Sequence, residues 1–257
     1  MASEQTSSPP PVIRLLAFDL DGTLIRSEEL KAQSYAWAAE QLRPGIDRGE
    51  VERAYGHLVG HSREEISRSL VDTFSLAPEA REHASGVSRE PWQTYVGIRL
   101  ERYRAMLADR DLVRANTWPQ AAALLEQARE VAERVALVTT SECWAATAVL
   151  NALDWHDHFD AVVTADDVPS VKPDPAGYDL AMERLGARGD RTLAIEDSPA
   201  GLRAALAAGI QPLAVPTHYT RARVAKMVEA GEVGAAAVVA PEALAETVHR
   251  RVWEMAG

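Results

Sequence analysis

The stretch Val12–Thr23 reads VIRLLAFDLDGT: apolar but for Arg14, then broken by Asp19-Leu20-Asp21-Gly22-Thr23. An apolar run of strand length that ends in Asp and Gly predicts a buried parallel strand feeding a loop. Outward from it the texture changes. Residues 27–114 are rich in Glu, Arg, Ala and Leu, with helical spacing over 30–42, 63–74 and 91–108, and predict a mostly helical insert. Asn116-Thr117-Trp118-Pro119 marks the return, with Pro119 suited to the first turn of a helix over 120–133. Beyond it, strands expected at 135–138, 160–163, 192–195, 213–215 and 236–239 alternate with helices over 144–152, 175–185 and 241–255, and with one opening at Ser198-Pro199 and ending at Gly209. Such alternation predicts an α/β fold: a doubly wound, Rossmann-like parallel sheet with helices on both faces. The organisation expected is a flexible tail over 1–11, an α/β core from 12–26 and 115–257, and the helical insert over 27–114.

Composition narrows the function. Hydrophobic residues make up 47% of the 257 and charged ones 25%, which supplies an ordinary globular core and excludes whole-chain disorder. The net charge of −11 repels a phosphate backbone, and no Lys/Arg run opposes it, so no nucleic-acid partner is expected. A small anionic metabolite remains open, because a local cation overrides the global field. The single cysteine, Cys143, excludes an intrachain disulfide and fits a reducing cytoplasm. The first residues, MASEQTSSPPP, lack the cationic start and apolar stretch of a secretory signal. The longest uncharged run, 204–220, is interrupted by Gly209, Pro212 and Pro216, so no membrane span is expected. A cytoplasmic monomer acting on a small molecule is the resulting expectation.

In doubly wound sheets ligands bind beyond the carboxyl ends of the strands. The loops there carry Asp19 and Asp21, then Thr139, Thr140 and Ser141, then Lys172-Pro173, then Glu196 and Asp197. Brought together, four carboxylates repel one another, and a hard divalent cation is the natural remedy. Oxygen ligands select Mg²⁺. The hydroxyls and Lys172 supply donors suited to a phosphate. The set predicts Mg²⁺-dependent phosphoryl transfer, with one carboxylate as nucleophile and another as acid and base. Alternation along Asp19-Leu20-Asp21 points both Asp side chains to one side and Leu20 to the other.

These residues resemble the four motifs of the haloacid dehalogenase-type hydrolases, in order: Asp19-Leu20-Asp21-Gly22-Thr23, the Thr139 loop, Lys172-Pro173 and Glu196-Asp197-Ser198. The resemblance implies that Asp19 is the nucleophile and Asp21 the acid/base. It implies that Thr139 and Lys172 hold the phosphate. Asp197, Asp19 and the backbone carbonyl of Asp21 would bind Mg²⁺, with Glu196 supporting the metal directly or through water. The insert would be the family's substrate-covering cap. Ser27-Glu28-Glu29-Leu30, Gly60-His61-Ser62-Arg63-Glu64-Glu65 and Glu196–Leu202 look like the β-phosphoglucomutase and sugar-phosphatase branch. Thr139-Thr140 and His218-Tyr219-Thr220 resemble its CbbY-type sugar-bisphosphate phosphatases. By that resemblance Arg63 would hold a second phosphate. Lys31 stands where the branch commonly has His, a departure that favours hydrolysis of a sugar phosphate over a phosphomutase reaction.

Plainer readings stand beside these. Glu196 and Asp197 also suit the N-terminus of the helix at Pro199. Ser62-Arg63-Glu64-Glu65 reads equally as a capped helix start, and Lys31 as a solvated helix residue. His156-x-His158 reads as a loop, and Cys143 as an apolar helix position. A relative of the fold that only binds a partner is the non-enzymatic alternative, and it would have no need of Asp19, Asp21, Lys172 and Asp197 together.

Overall fold

A computed structural model describes residues 13–84 and 89–256; the tail expected over 1–11 lies outside them. The chain divides into two compact units. The first runs to Leu24 and takes in Trp118–Cys143 and the chain from Trp155 onward; the second comprises Ile25–Thr117 and Trp144–Asp154.

The first unit is built on five parallel strands: β1 (Ile13–Phe18), β2 (Ala132–Val138), β3 (Ala161–Val163), β4 (Thr192–Glu196) and β5 (Gln211–Ala214), in the order β3-β2-β1-β4-β5. The chain steps outward from β1 through β2 to β3, then crosses to β4 on the other side. The switch therefore falls between β1 and β4. β1 is central, and Leu15, Leu16, Ala17 and Phe18 are all fully buried, as a strand covered on both faces requires. On one face Leu15, Ala17, Ala136, Val138 and Ala194 meet the helices Ala176–Leu185 and Pro199–Ala207 through Tyr178, Ala181, Met182, Ala204 and Ala205. Facing β1 from the other side is Leu244–Ala256, whose buried Leu244, Val248 and Val252 recur at every fourth position.

Two expectations are corrected here. The helix expected over 120–133 stops at Glu126, a short turn of helix spans Ala128–Val131, and β2 already begins at Ala132. The first residues of β2 include the exposed Glu133 and Arg134, whose charges disguise a strand that the ladder to Ile13 and Leu15 holds in place. The strand expected over 236–239 is a single parallel bridge from Val238 to Ala214, because Ala235–Ala237 coil into a 3₁₀ turn.

The second unit is helical: Ser27–Leu42, Arg48–Leu58, Arg63–Thr73, Ala77–His83, Pro91–Ala108 and Arg110–Ala115, joined by most of Cys143–Leu153. Local signals set its boundaries. Asp47, Ser62 and Asp109 each accept a backbone N–H at the start of a helix, and Ser62 and Glu65 form a reciprocal capping box. Its centre is aromatic. Tyr35 stacks on Tyr55 at 5.3 Å and meets Tyr95 at 5.8 Å, and the buried Arg99 guanidinium lies over Tyr35 and Tyr103 at 4.8 and 4.3 Å. Among the described residues, no helix is long and apolar enough to cross a membrane.

Candidate active site

The carboxyl ends of β1, β2 and β4 bring the candidate residues together. Backbone bonds at these strand ends fix the exits: Asp19 N–H to Ile195 O at 3.0 Å, Thr139 N–H to Val163 O at 2.9 Å, and, from the residue after β5, Val215 N–H to Glu196 O at 2.7 Å. Asp19 and Leu20 are both buried and Asp21 is half-buried. Gly22 turns the chain at φ 85°, and a Cβ there would lie 2.5 Å from Asp197 Oδ2. Conformation and space both demand glycine at this position.

Lys172 is the hub. Its ammonium donates to Asp19 Oδ1 at 2.7 Å, Glu196 Oε1 at 2.6 Å and the Val138 carbonyl at 2.7 Å, which uses all three of its protons. Tyr178 presents its ring to the ammonium at 5.1 Å and donates its hydroxyl to the same Glu196 Oε1 at 2.6 Å. Glu196 is fully buried, and among the described residues its Oε2 has no hydrogen-bond partner. That oxygen rests on the first turn of Pro199–Ala207, where a Cβ on Gly201 would come within 1.9 Å of it. Ser198 caps the same turn by accepting Gly201 N–H at 3.1 Å, with Pro199 following. The helix terminus thus favours the adjacent anions.

Asp19, Glu196 and Asp197 each offer an oxygen, and the three oxygens lie within 4.8 Å of one another. All three residues are buried. The Asp21 carboxylate is outside this group and accepts the Ser141 hydroxyl at 2.5 Å. Ser141 N–H in turn donates to Thr139 Oγ1 at 3.0 Å. Thr139 is buried and Thr140 exposed. Lys31 and Arg63 belong to the helical unit: Lys31 pairs with Glu28 at 2.7 Å, and Arg63 opens the helix that Ser62 caps. Glu28 also accepts the Tyr55 hydroxyl. Cys143 is exposed at the start of its helix, against the expectation of an apolar position.

The charges do not balance. Burial pushes the Asp19 carboxyl up to about 7, against the pull of Lys172, and the nearby Glu196 and Asp21 charges add to the rise. For Lys172, burial opposes the ammonium, but Asp19 and Glu196 together outweigh it and hold its pKa above the usual lysine range. One ammonium is shared between two carboxylates, so the cation is satisfied and the anions are not. Burial, with Glu196 beside it, also keeps the Tyr178 phenol protonated. An all-oxygen donor set, a surplus of buried negative charge and an orphaned Glu196 oxygen fit a hard divalent ion of the Mg²⁺ kind.

Two participants have no role of their own in the sequence pattern: Tyr178 and Gly201. The available signals are positional. Tyr178 sits on the first turns of the helix after Lys172-Pro173, and Gly201 is a poor helix former three residues after a cap.

Residues 13–209 match the haloacid dehalogenase-like hydrolase family. Protein CbbY of Cereibacter sphaeroides is 29% identical over 215 residues, covering 82% of this chain and 87% of that protein. A phosphorylated carbohydrates phosphatase of Thermotoga maritima is 27% identical over 225 residues, covering 88% and 93%. The crystal structure of a CbbY variant from Rhodobacter sphaeroides in complex with xylulose-1,5-bisphosphate superposes with a TM-score of 0.60 at 26% identity, covering 82% and 89%.

Proposed function

The chain belongs to the haloacid dehalogenase-like hydrolases, and from that premise we propose that it is a Mg²⁺-dependent phosphatase of small sugar phosphates or bisphosphates. The observation that carries this reading is the convergence of Asp19, Glu196 and Asp197 at the ends of β1 and β4, with the first two paired to the Lys172 ammonium. Two relatives support the substrate class: one is named for phosphorylated carbohydrates, and one holds a sugar bisphosphate.

In this reading Asp19 attacks phosphorus, forming an acyl phosphate as the bond from phosphorus to the sugar oxygen breaks. Asp21, held by Ser141, protonates the departing oxygen. The same carboxylate then takes a proton from water, whose oxygen attacks phosphorus and frees Asp19. Lys172 fixes the Asp19 carboxylate and gives up one of its bonds to a phosphate oxygen, with the Thr139 and Thr140 loop supplying further donors. Asp19, Glu196, Asp197 and the Asp21 carbonyl would hold Mg²⁺, which supplies charge neutralisation for the phosphoryl oxygens. Substrate choice falls to the helical unit, where Arg63 and Lys31 are the candidate contacts.

A panel of phosphorylated sugars, assayed for phosphate release and for isomer formation, tests the proposal. Phosphate release should need added Mg²⁺, vanish with EDTA, and fall at least about a thousandfold in Asp19→Asn. Turnover by Asp19→Asn within tenfold of the parent would overturn the nucleophile assignment. Isomer formation without net phosphate release would point to a mutase.

A further inference from the structure

The turn after β5 shows how one member of the carboxylate cluster is held. Thr217-His218-Tyr219-Thr220 closes on itself, with Thr220 N–H and Arg221 N–H donating to the Thr217 carbonyl at 3.2 and 2.9 Å. Thr217 and Thr220 are both buried, at 7% and 3% exposure, where a hydroxyl must find partners. Thr220 Oγ1 accepts the Thr217 backbone N–H at 2.9 Å. It also lies 3.2 Å from Thr217 Oγ1 and 3.2 Å from Asp197 Oδ2.

Donor arithmetic fixes the direction of these contacts. A threonine hydroxyl has one proton and two acceptor positions, and an ionised carboxylate only accepts. The single Thr220 proton therefore goes to Asp197. The contact between the two hydroxyls must then run from Thr217 to Thr220. Thr217 Oγ1 itself accepts Tyr219 N–H at 3.2 Å. The result is a polarised chain, Tyr219 N–H to Thr217 to Thr220 to Asp197, in which each bond strengthens the next. Gly22 closes against the same Asp197 oxygen, leaving no room for even a methyl group between them.

We infer that Thr220 is a positioning residue for the cation: it holds Asp197 by Oδ2 in the orientation that keeps this carboxylate in the cluster with Asp19 and Glu196. The inference rests on the proposed cation site and deepens it. Groups that orient a ligand in this way typically contribute about 10- to 100-fold in metal affinity.

The test is a calorimetric Mg²⁺ titration of the parent, Thr220→Val, Thr220→Ala and Thr220→Ser, with the melting temperature of each in EDTA as the measure of folding. Thr220→Val keeps the shape and removes the proton donor; its Mg²⁺ dissociation constant should rise by about tenfold or more. Thr220→Ser restores the donor and should bind within about threefold of the parent. Thr220→Ala decides the question if Thr220→Val does not fold. Parent-like affinity in the folded Val or Ala variant overturns the inference and leaves the cation site standing. Failure of both to fold in EDTA, with Thr220→Ser folded, assigns the residue to the fold and also overturns it. Absence of Mg²⁺ binding by the parent overturns the proposed function and this inference together.

Discussion

Asp19 occupies a position that no carboxylate would choose without company. It is buried, and its neighbours are one ammonium and three further carboxylates, those of Asp21, Glu196 and Asp197. Neutralising it should therefore stabilise the protein wherever no divalent ion is bound. In EDTA at alkaline pH the Asp19→Asn variant should melt about 2–4 °C above the parent, and with saturating Mg²⁺ the order should reverse. Paired thermal melts check both halves. A melting temperature lower than the parent's in EDTA would mean that Lys172 outweighs the repulsion. Lys172 shows the complementary economy: with its three protons committed to Asp19, Glu196 and Val138, it is held in one rotamer before any substrate arrives.

At the scale of the element, Asp160 shows how a strand is tied. Its N–H donates to Val135 O and its carboxylate accepts Val135 N–H, both at 2.8 Å, while Arg129 and Arg134 bond the same carboxylate at 2.6 and 2.9 Å. Burial works to raise its pKa, but the bonds from Arg129, Val135 and Arg134 pull it below the usual carboxylate range. A depressed folded pKa means that the stabilisation is present above the unfolded value near 3.8 and is lost as pH falls through the folded value. Asp160→Asn should thus cost about 1–3 kcal/mol at pH 7, with the gap closing in strong acid. Denaturant melts across pH read this directly, and a gap that does not narrow as the medium is acidified would contradict it. The same element explains what was legible beforehand. β1 and β4 are runs apolar but for Arg14 and Thr192 that end at acidic residues, and pattern alone finds them and the Asp19–Thr23 loop that follows the first. The charged start of β2 looked helical because only its pairing with β1 makes it a strand. Tyr178 and Gly201 escaped because their roles arise from two helices meeting one buried Glu196, a relation that exists only after folding.

Over the whole molecule, the net charge of −11 opposes the approach of any phosphorylated substrate. Screening should relieve that, so kcat/KM for a dianionic sugar phosphate should rise about twofold between about 10 and about 150 mM salt at fixed free Mg²⁺. A fall over that range would show that a local positive field dominates the encounter. The topology has its own consequence. Asp19 hangs from β1 and the pair Glu196 and Asp197 from β4, and the amide of Asp19 is bonded to Ile195 O between these two central strands. The geometry of the centre therefore lasts as long as the sheet does. Hydrogen exchange at that amide should therefore follow opening of the sheet itself, and heating should scatter the cluster only when β1 parts from β4.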